Sequence, residues 1–566
     1  MSAPRLTSFC LAGACLMASC GGRPSYWDQP VNTSGATYGL AGAVAVVDDV
    51  DHRVVLFTGA ADQELTTQSL PIGHNFASAA TSPDGLTLFV LSSGDQPVQT
   101  SNDESPSLTV IQLNPTTFQA SSTLYEMSEP LSNLAIDPTG TYAVAYQGST
   151  MATSFAQNPN EIVIFDVTKG FVSEAASSPT HPPNPVSRSI RSFGGTPQQL
   201  TFSPSLNLPA SISADEAMAG VKASPRRLLI IETNIDLSIV DLTHAFDPPA
   251  SPQAPFGLAE ITVRLTSGTG TASLTPTGLV VDPNPDDGRI AFFTTGDTNV
   301  YSLQLIPSPP GSPNDFNPQI NLTPVGAPPS DIQFVRTLDG LRIAALVPSM
   351  STAVLIEPVM SVTTQVPLAA AYSSMSLVTN AVTGSPSNTD VALLWSAGTG
   401  VASGVALWTL DTAVGQAYRS IEVLQIAAPI QAVLDVAAPN DNLKVLATQA
   451  GQGSSAFYVL DLVQRTANPI STTASAFLTI APDGHRMWAY DHETDLALID
   501  FTTLNPVPLT ADAPISVVYD IANPTAIGGR SLVAMDAEGT FGATVFNALN
   551  PIASARQDVA LLLERP

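Results

Sequence analysis

Cysteine is confined to the start of the chain: Cys10, Cys15 and Cys20 are the only three, and none follows in the remaining sequence of 566 residues. That excludes a disulfide framework, a cysteine-ligated zinc site, a cysteine nucleophile and a Cys-x-x-Cys-His haem attachment from the body of the protein. Histidine is also scarce, with six residues, and no Gly-x-Ser-x-Gly elbow, His-Glu-x-x-His pair or phosphate loop occurs. Basic side chains number 20 against 48 acidic ones, a formal net charge of −28. A field of that sign repels phosphate backbones, so nucleic acid is not an expected partner. Beyond the first twenty residues no apolar run reaches the length of a membrane span.

What is present begins with the amino terminus. Arg5 followed by the apolar stretch Leu6 to Ala18 has the anatomy of an export signal, too short to remain as a spanning helix. Leu16-Met17-Ala18-Ser19-Cys20 resembles the bacterial lipobox, with Met17 where leucine is usual and Leu11 to Cys15 as a rival site. The resemblance implies a signal peptide over 1–19, acylation of Cys20 and a lipid anchor that holds the protein at a membrane. Gly21 after the cysteine implies an outer-membrane lipoprotein, periplasmic or surface facing. An ordinary cleaved signal peptide, which would leave a free exported protein, is the competing reading. Residues 20–40 read as a tether.

The body, 41–566, is organised around one grammar, clearest in Phe477 to Phe501: a short β-rich run, the turn Pro482-Asp483-Gly484, a second run, a polar turn and a third run. Proline presets the first corner of such a turn and glycine accepts the positive φ that follows. Ser82 to Gly85 and Asp137 to Gly140 repeat the turn. The close of the unit recurs with a polar residue at Gln112, Asp166, Asp241, Gln304, Glu357, Thr409, Asp461, Asp500 and Asn547. A tenth hairpin, Val44 to Val47 with Val54 to Phe57, precedes them.

A lone small sheet cannot bury both faces, so its copies must stack. Irregular intervals with a fixed strand order suit a propeller with decorated loops. The expected fold is therefore all-β: a single β-propeller of about eight four-stranded blades, within a range of seven to ten. The first hairpin is expected to complete the last blade and so remove exposed edges. Proline-rich insertions over 177–187, 204–225, 246–255 and 307–318 are read as loops on one face of the disc. A short helix is expected over Ala214 to Ala223.

The Ser-Pro-Asp-Gly turn and the Val-Ile-Asp-Leu close resemble YVTN-type and WD-like propeller repeats, although the Trp-Asp dipeptide of WD repeats is missing. The resemblance implies the fold and leaves the function open. Two acidic clusters, Asp48, Asp49 and Asp51, and Asp491, Glu493 and Asp495, have the oxygen-rich chemistry that calcium requires. Each lies between paired strands, where aspartates ordinarily bind their own backbone, and Asp282 to Gly288 reads the same way. No other cofactor is expected. The leading functional reading is a non-enzymatic binding or scaffold protein for protein, peptide or glycan partners. The alternative is an envelope hydrolase or lactonase with its site in the central channel, which would bring His52, His74, His485 or His492 together with carboxylates. A structural subunit of an envelope assembly is a third reading.

Overall fold

The computed structural model describes residues 36–58, 66–97, 100, 103–148, 158–178, 181–208, 214, 225–247, 260–265, 275–309, 316–378, 389–397, 404–426, 428–448, 457–472, 477–523, 529–537, 542–548 and 556–560. These form ten four-stranded antiparallel sheets, each built from four strands consecutive in sequence. They span 37–71, 76–126, 133–189, 197–264, 276–324, 331–367, 374–425, 430–470, 477–510 and 515–560, and are called blades 1 to 10.

The reason the middle strands read as continuous apolar runs is visible in blade 9. All five residues of Arg486–Tyr490 are buried. Met487 and Ala489 pack against blade 8 while Trp488 and Tyr490 pack against blade 10. Side chains alternate across a strand, and here both faces meet a neighbour. The outer strand of the same blade, Pro506–Thr510, is mostly exposed or half-buried and tolerates two prolines.

Ten apolar clusters lie one at each blade-to-blade contact. The last joins Val44, Val46, Val55 and Phe57 of blade 1 to Ile521, Val533, Met535, Ala543 and Val545 of blade 10. The blades therefore close into one ten-bladed β-propeller. The expectation of about eight followed the usual ring size. Each hairpin in the sequence instead forms its own blade, so ten hairpins make ten blades.

The first hairpin does not complete the last blade. Val44–Asp48 and Arg53–Thr58 pair with each other and with Thr37–Gly39 and Thr66–Pro71. Blade 10 draws all four strands from 515–560. The first strand, Thr37–Gly39, begins within the stretch expected to be tether. The ends of the ring meet through packing and a few hydrogen bonds, among them Ala522 N–H to the Ala41 carbonyl at 2.7 Å.

All four proline-rich insertions attach after a first or a third strand, although 186–187, 307 and 316–318, read from sequence as loop, belong to the strands Val186–Ser189, Asn299–Pro307 and Phe316–Pro324. In an antiparallel blade those two strands end on the same side, so the insertions leave from one face of the disc. Apart from Ala214, the helix expected over 214–223 lies outside the described residues. Among the described residues no helix is long and apolar enough to cross a membrane.

Candidate functional site

The residues singled out by the sequence fall on different parts of the ring. Cys20 lies outside the described residues. In the hairpin turn of blade 1, Asp48 and Arg53 are both fully buried, with Arg53 Nε 3.1 Å from Asp48 Oδ2 and Arg53 Nη2 3.4 Å from Asp51 Oδ2. Asp49 accepts the Phe76 N–H at 2.8 Å, tying blade 1 to the first strand of blade 2. Asp48 and Asp51 thus share Arg53, while Asp49 faces a backbone amide of the next blade. In blade 9, Asp491 accepts the Glu493 N–H at 3.0 Å, and Asp495 is exposed at the start of its strand. Among the described residues no three His, Cys, Asp or Glu side chains form a group that could hold a metal ion.

Two of the histidines do meet. His52, in a left-handed backbone conformation at φ 49°, stacks on His74 with ring centroids 4.0 Å apart. His74 Nδ1 lies 3.1 Å from Asp95, and its Nε2 lies 3.4 Å from Glu104. The Glu104 N–H and the His74 ring beside it hold the Asp95 carboxyl below its ordinary pKa. His492 lies on the same face near blade 10, with Nδ1 3.2 Å from the Ile515 carbonyl. His485 sits in a first-to-second turn, on the opposite face. The four do not assemble into one catalytic group.

The acidic residues among the recurring polar closes are turn caps, whereas the Thr409 hydroxyl donates to the Ser420 carbonyl. Asp166 accepts the Thr168 N–H, Asp461 those of Val463 and Gln464, Asp500 that of Thr502, and Glu357 those of Val359 and Met360. The recurring residues sit at or near the close of the third strand of blades 2 to 10.

A cavity on the face opposite His52 and His74 is lined in part by the repeated turn itself, Ser82 to Gly85 and Pro482. It measures about 550 Å³ and lies where the first strands of blades 1, 2, 9 and 10 end. Tyr38, Leu40, Pro83, Ile480, Pro482 and Tyr519 contribute apolar wall, and Thr37, Thr81, Ser82 and Thr479 contribute hydroxyls. No histidine or cysteine lines it. Burial pushes the Tyr519 hydroxyl up to about 12 and raises that of Tyr38 as well, so both stay protonated and able to donate.

A charged cluster braces one side. Arg530 Nε lies 2.5 Å from Asp520 Oδ1 and 3.5 Å from Asp483 Oδ2, while Trp488 Nε1 donates to Asp520 Oδ2 at 3.0 Å. Burial works against the Asp483 carboxylate, but the His485 N–H and the Arg486 and Arg530 guanidiniums outweigh it and hold its pKa below the ordinary value. The cavity thus has apolar walls and convergent polar groups, the composition of a binding site. It opens on the face from which the insertions leave. No local signal could have revealed it, because its residues range from Thr37 to Arg530.

No family model matches the sequence, and no curated protein matches it. Among solved structures, the chain is similar to dihydro-heme d1 dehydrogenase NirN in complex with DHE at 10% identity and a TM-score of 0.38, over 85% of this chain and 78% of that one. It is also similar to BBS1N in complex with ARL6DN at 11% identity and a TM-score of 0.31, over 78% of this chain and 95% of that one. Neither likeness bears on activity.

Proposed function

We propose that this propeller is a non-enzymatic binding protein of the cell envelope, anchored by a lipid on Cys20, that takes a peptide or glycan segment of its partner into the cavity between blades 1, 2, 9 and 10. The observation that carries the reading is the cavity itself: tyrosine and proline walls with hydroxyl groups, contributed by four blades and free of histidine and cysteine. Tyrosine and proline offer large contact surfaces at little entropic cost, and tyrosine hydroxyls add direction. The insertions attach to the same face. The anchor follows from the lipobox resemblance at 16–20 and the net charge keeps the domain off anionic surfaces.

The test has two arms. A photo-crosslinking residue at Asp84, which is exposed at the cavity rim, is expected to capture an envelope partner, and the same residue at Asp495 on the other face is not. Equal capture at both positions would remove the cavity from the account. Fatty-acid labelling is expected in the wild type and lost in Cys20→Ser; persistence of the label would refute the anchor at that position.

A further inference from the structure

Two copies of the Pro-Asp-Gly turn border the cavity between blades 1, 2, 9 and 10, Pro83 to Gly85 of blade 2 and Pro482 to Gly484 of blade 9. In blade 9 the aspartate is answered: Asp483 Oδ2 lies 2.9 Å from Arg486 Nη2 and 3.5 Å from Arg530 Nε. In blade 2 Thr87 stands where blade 9 has Arg486, as the first residue of the second strand. Asp84 Oδ1 closes the turn by accepting the Ser82 hydroxyl at 2.5 Å and the Leu86 N–H at 3.0 Å. Its Oδ2 accepts nothing and no basic group pairs with it among the described residues, while the residue is exposed and lines the cavity.

The remaining polar groups of the cavity are mostly taken up by the protein itself. The Thr37 and Tyr519 hydroxyls engage each other at 2.9 Å, the Thr479 hydroxyl donates to the Val518 carbonyl at 3.0 Å, and the Ser82 hydroxyl serves Asp84. Arg530, the one cation of the lining, is held by Asp520 and Asp483. A sugar ring, with a hydroxyl on most of its carbons, would leave several of them unanswered against Tyr38, Ile480 and Tyr519. An anion would meet no free cation and would face Asp84.

We propose that the occupant of this cavity is a peptide segment in which a lysine or arginine follows apolar residues, with the apolar side chains against Tyr38, Ile480 and Tyr519 and the cation on Asp84 Oδ2. The inference rests on the cavity being the binding site and narrows its ligand to one class. Asp84 takes in trans the kind of partner that Asp483 has within the chain. A charge pair at an exposed rim contributes about fivefold in affinity or less, and a like charge is disfavoured by a similar factor. Asp84 therefore decides which segment enters more than how tightly it is held.

Calorimetry on the full chain tests the proposal, with acetyl-Leu-Leu-Lys-amide, its glutamine and glutamate counterparts, and cellotetraose as a neutral sugar. The lysine peptide is expected to bind about fivefold more tightly than the glutamine peptide, and the glutamate peptide most weakly. Cellotetraose is expected to give no heat. Asp84→Asn keeps the turn, because the amide oxygen accepts the same two donors, and is expected to bring the lysine and glutamine peptides to equal affinity. Asp495→Asn removes the same charge from the opposite face and is expected to leave the preference in place, which separates Asp84 from the field of the whole chain. Equal binding of the lysine and glutamine peptides, a preference that survives Asp84→Asn, or one lost in Asp495→Asn would overturn the inference and leave the cavity as a peptide site. Binding of cellotetraose alone would overturn it in favour of a glycan. No heat from any of the four would remove the inference and the cavity together.

Discussion

Tyr519 Oη lies 2.9 Å from Thr37 Oγ1, joining residues 482 positions apart in the chain. The contact closes the ring where blade 10 meets blade 1, in a molecule whose two ends share no sheet. The tyrosine ring also fills the space beside Gly39, where an added Cβ would lie 2.5 Å from Tyr519 Cδ1.

Gly39→Ala should therefore loosen the closure more than loss of the hydroxyl does. The steric change is expected to cost about 1–3 kcal/mol, against about 1 kcal/mol for Tyr519→Phe. Denaturant melts of the two variants give the order; a neutral Gly39→Ala would mean that blades 1 and 10 are not packed this way.

Two turn glycines separate backbone conformation from crowding. Gly140 and Gly484 have nearly the same φ, 69° and 68°. A Cβ on Gly140 would lie 3.8 Å from its nearest neighbour, whereas one on Gly484 would lie 2.1 Å from the Ala437 carbonyl oxygen of blade 8. Gly140→Ala should cost about 1–2 kcal/mol from φ alone, and Gly484→Ala about 1–3 kcal/mol more. Equal losses in thermal melts would show that the turns of neighbouring blades do not nest.

Glu232, on the second strand of blade 4, is 3% exposed, and its Oε1 accepts no hydrogen bond. Burial pushes its carboxyl up to about 7. The folded-state pKa then exceeds the unfolded one, so the protonated form is favoured on folding. Its stability contribution is complete below the unfolded value, about 4.5, and is lost as pH rises through about 7. Glu232→Gln should be more stable than wild type by about 3 kcal/mol above pH 8 and nearly unchanged at pH 4. A difference independent of pH would contradict this environment for the carboxyl.

The acidic turn of blade 1 is predicted to act as structure. Asp48→Ala removes one of the two carboxylates that face the buried Arg53 charge and should cost about 3 kcal/mol, while Asp491→Ala removes one turn cap and should cost about 1 kcal/mol or less. Millimolar calcium is expected to leave the wild-type Tm in place, since Asp48 and Asp51 face Arg53 and Asp49 holds the Phe76 N–H. A calcium-dependent rise lost in Asp48→Ala would reverse that assignment.

The repeated sheet was legible because its signals are local. Phe477–Ile480, Arg486–Tyr490 and Asp495–Asp500 fall where the turn grammar and apolar runs put them. The acidic closes, Asp166, Asp241, Glu357, Asp461 and Asp500, were legible as caps for the same reason, each acting on amides two or three residues away. Outer strands such as Thr363–Pro367 were harder to read: at the rim they bury only part of one face and need no apolar run. Thr37–Gly39 is too short to carry any periodicity. The cavity between blades 1, 2, 9 and 10 was beyond sequence reasoning, since its walls come from separate blades.

An experimental density map that resolves individual strands tests the arrangement most directly. The structure predicts ten four-stranded sheets around one axis, with residues 37–71 forming a complete blade and Thr37 against Tyr519. A map in which residues 37–57 pair into the sheet formed by 530–547, or in which the sheets divide between two rings, would contradict it.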